Sequence, residues 1–89
     1  MKFQPEIDWD GEKLSAWAQT DSGRILCEAP RNAIHCLSSY NDVVSWEINR
    51  FRGEIMEHLK PVFAAKIAGG DILHSNGIRL ARLRPDELL

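Results

Sequence analysis

The chain has 89 residues, 44% of them hydrophobic and 27% charged, with eleven Lys and Arg against thirteen Asp and Glu. That length accommodates one hydrophobic core and not two. A net charge of −2 excludes a global basic field of the kind that holds nucleic acid. The longest purely hydrophobic run, Val62-Phe63-Ala64-Ala65, is far short of the roughly 20 residues that span a bilayer.

The first twelve residues are acidic and carry Phe3, Ile7 and Trp9, punctuated by Pro5 and by the turn signal Asp10-Gly11. They read as an irregular or edge segment laid on the domain. No apolar run follows Lys2, so no secretory signal is expected. Residues 12–19 alternate, with Leu14, Ala16 and Ala18 on one face of a strand. Thr20-Asp21-Ser22-Gly23 reads as a turn. A second strand, residues 24–29, places Ile25, Cys27 and Ala29 on one side, and the pair forms a β-hairpin.

Pro30 suits the first position of a short helix over residues 30–38, with Ala33, Ile34 and Leu37 as its apolar stripe. Asn41 or Asp42 can cap the next helix. At about 100° per residue, Val44, Ile48, Phe51, Ile55, Leu59 and Val62 fall within an arc of roughly 80°, which makes them the predicted core-facing stripe of one long helix. Pro61 predicts a kink or a break near Lys60, and Gly69-Gly70 ends the helical region. Asn76-Gly77 then marks a second hairpin, in a register that sets Ser75 opposite Ile78, Leu73 opposite Leu80 and Asp71 opposite Arg82. In that reading Leu73, Ile78 and Leu80 face the core. Pro85-Asp86-Glu87 opens a brief terminal helix. The expected fold is a two-layer α+β domain spanning residues 1–89, in the order β-β-α-α-β-β. An antiparallel sheet of two hairpins packs against the short helix and the long, Pro-kinked or broken one.

Side chains able to do chemistry are scattered. Cys27 and Cys36 are nine residues apart and each of His35, His58 and His74 stands alone, so the paired spacing of a zinc site is missing and no metal or cofactor is expected. Two cysteines make no disulfide framework and read as reduced thiols of a cytoplasmic protein. Residues 1–49 carry four basic and eight acidic side chains, whereas residues 50–89 carry seven basic and five acidic. That asymmetry keeps one alternative open, a nucleic-acid-associated accessory protein using Arg79, Arg84 and Arg50. A second alternative is a small enzyme with a reactive Cys36, although no base–orienter pattern accompanies it.

The sharpest feature is Trp46, about 160° around the helix from Val44 and Ile48. Gly53 shares that back face, where a helix-interior glycine costs about 1 kcal/mol relative to alanine. Asn49 and Lys60 flank them and Met56 lies toward one edge. Two readings stand side by side: a surface for a protein partner or a second copy, or an intramolecular contact in which the short helix or the Phe3/Ile7/Trp9 segment covers Trp46. No small-molecule ligand is identifiable.

The chain also resembles an uncharacterised family of short proteobacterial proteins, a domain of unknown function. The matching pieces are Trp9-Asp10, Gly23-Arg24-Ile25-Leu26-Cys27, Ala33-Ile34, Asn49-Arg50-Phe51-Arg52-Gly53-Glu54-Ile55, Lys66-Ile67-Ala68-Gly69-Gly70, Gly77-Ile78-Arg79-Leu80 and Asp86-Glu87-Leu88. The resemblance implies a small α+β domain in a bacterial cytoplasm and brings no catalytic residue with it. The function expected is that of a small non-catalytic interaction module, homodimeric in one version, with Trp46, Asn49, Gly53, Met56 and Lys60 at the contact.

Overall fold

In the computed structural model, which describes residues 1–89, alternating apolar residues build the sheet as expected. Strands β3 (Lys13–Thr20) and β4 (Gly23–Pro30) pair antiparallel over their whole length, Lys13 opposite Pro30 and Thr20 opposite Gly23. The turn is therefore the two residues Asp21 and Ser22, tighter than the sequence implied, and Gly23 supplies a φ of +114° at its exit. Leu14, Ala16 and Ala18 face Ala29, Cys27 and Ile25 on the buried side. The N-terminal segment forms two short edge pieces, β1 (Lys2–Phe3) and β2 (Asp8–Trp9), both antiparallel to β3. Asp10 turns the chain between β2 and β3. Its carboxylate accepts the backbone N–H groups of Lys13 and Glu12, which hold its pKa down to about 2.

Helix α1 is brief, Arg31–Ile34, with Pro30 as its extended N-cap rather than its first turn. A 3₁₀ turn, Ser38–Tyr40, follows. Neither Asn41 nor Asp42 caps the next helix. Val44 holds that position, and Glu47 reaches back to accept the Val44 N–H at 3.1 Å.

The long helix is broken, but not at Pro61. α2 (Ser45–Arg50) ends at Phe51, whose φ of −100° and ψ of 17° leave the helical range, and α3 (Arg52–Ala68) runs unbroken through Pro61. The break coincides with a tertiary contact. The Arg52 guanidinium donates to the carbonyl of Asn49 at 2.8 Å and to that of Ile7 at 3.1 Å, tying the helix junction to the N-terminal segment. Pro61 is tolerated because both it and Glu57, whose carbonyl loses its helical partner, are exposed to water. Restoring the missing donor with Pro61→Ala should raise stability by about 1–2 kcal/mol, read as a higher urea midpoint at unchanged slope. An equal or lower midpoint would mean that the proline is not strained here.

The break rotates the buried stripe. Ile48, Ile55, Met56, Leu59 and Phe63 are fully buried, while Val44 and Phe51 are exposed and Val62 is only partly covered. Phe3, Ile7 and Trp9 pack on the rim of this core, Phe3 lying 6.4 Å from the Phe63 ring centroid.

The second hairpin, β5 (Leu73–Ser75) and β6 (Ile78–Arg82), has the expected register, Leu73 opposite Leu80 and Ser75 opposite Ile78. Its placement overturns the expected faces. The helices carry the chain across from β4, so β6 lies parallel to β4 and inside β5, with Leu26 level with Leu80 and Cys27 level with Ala81. Ala81 and Leu83 enter the central core and Leu73 and Ile78 are exposed, while Leu80 is buried as expected, but beside Leu26 on the opposite face. Side chains alternate along a strand, so a one-residue change of level moves the whole set to the other side. Asp71 does not meet Arg82. Asp71 pairs with Lys66 and Arg84, and Arg82 pairs with the buried Glu28 at 3.1 Å. The result is an α+β domain with a mixed, mostly antiparallel sheet in the order β1-β3-β4-β6-β5, and with its helices between the two hairpins in sequence. A terminal 3₁₀ turn, Pro85–Leu88, closes the chain as expected. No helix is long and apolar enough to cross a membrane.

Candidate interaction surface

On α2, residues three and four apart share a face. Trp46, Asn49 and Arg50 therefore line one side of the helix, and all three are exposed. Trp46 is 65% exposed, so neither α1 nor the N-terminal segment covers it, and the expected intramolecular contact is not made. The segment instead packs beside it. The Trp9 indole N–H donates to Ser45 Oγ at 3.0 Å, and Trp9 is half-buried against the core. An indole standing this far into water is uncommon in a small domain.

Past Trp46 the surface dips. A cleft of about 500 Å³ opens between the N-terminal segment and the helix junction, lined by Pro5, Glu6, Ile7, Arg50, Arg52 and Gly53. Gly53 also borders a second cleft of about 680 Å³, which Lys60 lines further along the same helix, opposite the N-terminal segment. A Cβ built on Gly53 would meet nothing within 4 Å, so its small size keeps the cleft floor open without being required by any contact inside the chain. Its place in the first turn of α3, just after the break, also lowers the helical penalty expected for an interior glycine.

The electrostatics of the first cleft are unbalanced. Neither Arg50 nor Arg52 has a carboxylate within 4 Å. Arg50 lies over the Phe51 ring at 5.5 Å and Arg52 donates only to backbone carbonyls. One exposed carboxylate, Glu6, lines the same cleft from the N-terminal segment.

Two expected members of the surface behave differently. Met56 is fully buried, because the rotated stripe turns it into the core, and it cannot touch a partner. Lys60 is occupied, bridging Glu57 at 2.8 Å and lying over the Phe3 ring at 5.7 Å. Trp46, Asn49 and Gly53 remain. The sequence carried no sign that Arg52 would bind the Ile7 carbonyl 45 residues away and so create the cleft.

The residues of the rival readings are dispersed. Arg79 is hydrogen-bonded to the β3–β4 turn, Arg84 sits among Asp71, Asp86 and Glu87, and Arg50 is on α2, so the three arginines form no common stripe. Cys36 Sγ contacts the Asn32 carbonyl at 3.5 Å, while the neighbouring His35 ring bonds the Val43 carbonyl at 3.0 Å. Cys27 is buried, and desolvation pushes its thiol up to about 12. Brief treatment of the folded protein with iodoacetamide should therefore label Cys36 and spare Cys27, as read by peptide mass spectrometry. Label on Cys27 before unfolding would contradict the buried β4 face. No three His, Cys, Asp or Glu side chains are grouped to hold a metal ion.

Comparison of the chain with family models, curated proteins and solved structures found no match in any of the three.

Proposed function

We propose that the protein is a small non-catalytic interaction module that works through the Trp46 face, and that the occupant of this face is a second copy of the chain. The observation that carries the reading is one patch holding an exposed indole, two arginines without acid partners and, across the same cleft, the unpaired carboxylate of Glu6. A two-fold dimer needs a self-complementary patch in which residue i meets j and j meets i. Basic and acidic side chains side by side on one molecule meet that condition when a copy is turned over onto it. Tryptophan and arginine are also the residue types that carry most interface energy, and indole burial supplies the apolar centre such contacts need. The two free thiols fit a reducing cytoplasm as its setting.

A charge exchange tests the pairing. Arg50→Glu and Glu6→Arg should each sediment as monomers at concentrations where the natural chain dimerises. An equimolar mixture of the two should sediment as a dimer, since both cross-pairs are then restored. A natural chain that stays monomeric at tens of micromolar would overturn the second copy as occupant. A mixture no more associated than its components would overturn the pairing.

A further inference from the structure

The helices bury one face of the sheet, that of Leu14, Ala16 and Ala18. Side chains alternate along a strand, so Ser15 and Trp17 point to the other face. Residues directly opposite each other in an antiparallel pair share a side. That places Asp8 of β2 beside Ser15, and Leu26 of β4 beside Trp17. These four side chains meet around a cleft of about 440 Å³, which Glu6 and Ile7 border from the N-terminal segment. From Leu26 the apolar row runs on across the sheet through Leu80 to Leu73.

The cleft has an apolar wall, Trp17 and Leu26, and an acidic rim, Asp8 and Glu6. No lysine or arginine lines it. Neither acid has a cation within 4 Å. The other carboxylate on this part of the face is matched, since Glu28 pairs with Arg82 at 3.1 Å and with Lys13 at 3.9 Å. Arg24 stands opposite Gln19, toward the hairpin tip, where it lies over the Trp17 ring and outside this cleft. Carboxylates set against low-dielectric walls with no counter-charge attract a cation. The apolar wall selects an amphipathic one, whose stem lies along Trp17 and Leu26 while its charged head meets Asp8. The Ser15 hydroxyl offers the head a second acceptor.

We infer that this cleft is a binding site for an alkylammonium ion, the group carried by a lysine side chain or by a free primary amine. Asp8 holds the ammonium, Glu6 adds to the field, and Trp17 and Leu26 hold the stem. The site is separate from the α2 surface, because Asp8 lines this cleft and not the one beside Arg50.

The test is an NMR titration of the full chain with n-butylammonium chloride. The controls are sodium chloride at equal ionic strength and n-butanol, which has the same stem without the charge. The Trp17 indole N–H and the backbone N–H groups of Asp8 and Ser15 report binding. Saturable shifts confined to the cleft are expected with butylammonium and with neither control. Asp8→Asn keeps the shape and removes the charge, and should weaken binding about fivefold, the upper range for an ion pair open to water. Asp8 makes no ion pair within the chain, so this variant leaves the fold intact. Nα-acetyl-lysine amide distinguishes the source, since tighter binding than butylammonium assigns the site to a lysine on a protein partner and weaker binding to a free amine. Shifts that rise without saturating, that either control reproduces, or that Asp8→Asn leaves unchanged would overturn the site.

Discussion

Replacing Phe63 with alanine should remove about 3–5 kcal/mol of stability, the range for deleting a fully buried phenyl group and leaving its cavity. Phe63 heads the set of large side chains with no exposed surface, and Phe3 closes over it from the N-terminal segment. A domain of this length is held by roughly 4–13 kcal/mol in total, so the variant should be close to unfolding at room temperature. Its melting temperature should fall by ~15–30 °C. The neighbouring Val62→Ala serves as the control. Val62 is partly covered at the core margin and should cost about 1 kcal/mol. This pair measures the phase of α3 directly. If Val62→Ala were the more damaging of the two, the helix would be facing the other way and the break at Phe51 would be wrong.

Lys66→Met should cost about 2–3 kcal/mol at neutral pH, below the ~3–5 of a wholly buried pair because Asp71 is half in water. The Lys66 ammonium is buried and donates to Asp71 at 2.8 Å and to Glu87 at 2.9 Å, fastening the end of α3 to the start of the second hairpin and to the C-terminal turn. Burial works to lower the lysine's pKa, but its hydrogen bonds to Asp71 and Glu87 outweigh this and raise it. The hydrogen bond from Lys66 lowers the Asp71 carboxyl. The signs then fix the pH window. A raised lysine contributes stability that is complete below its ordinary value of 10.5 and fades as pH climbs through the folded-state value. A lowered aspartate contributes stability that is complete above its ordinary value of 3.8 and fades as pH falls through the folded-state value. Urea unfolding across pH should show the natural chain losing stability on both flanks. Lys66→Met should be lower in the middle and flatter on each side. Parallel profiles, or equal stability at neutral pH, would show that the clasp contributes nothing.

Local chemistry made the hairpins legible. Leu14, Ala16 and Ala18 alternate with polar residues, and Asn76-Gly77 takes positive φ at both positions of its turn, as that dipeptide implies. Helical periodicity likewise identified Trp46 as the residue turned away from the core. What sequence could not convey depends on contacts between distant segments. Pro61 carried the strongest local signal for a break, yet the break lies at Phe51, where Arg52 reaches the Ile7 carbonyl. That shift turned Met56 and Phe63 inward and moved Val44 and Phe51 out. The faces of the second hairpin depended on which strand β6 would lie beside. Its parallel pairing with β4 put Ala81 level with Cys27 and left Leu73 in water. The same pairing carries the Arg79 guanidinium to the Arg24 backbone carbonyl, 55 residues away in the chain. No local pattern announces either event, because each is decided by where the helices return the chain to the sheet.

The proposed self-association through α2 makes a demand on one side chain. Hydroxyl-radical footprinting of the natural chain, from dilute to concentrated solution, reports the exposure of each tryptophan separately. Trp46 should be the most oxidised of the three when dilute and should become protected as concentration rises, while Trp9 and Trp17 stay constant. Trp46 oxidation that is unchanged across the series, or protection that falls on Trp17 instead, would contradict the assignment of the α2 face as the surface where two copies meet.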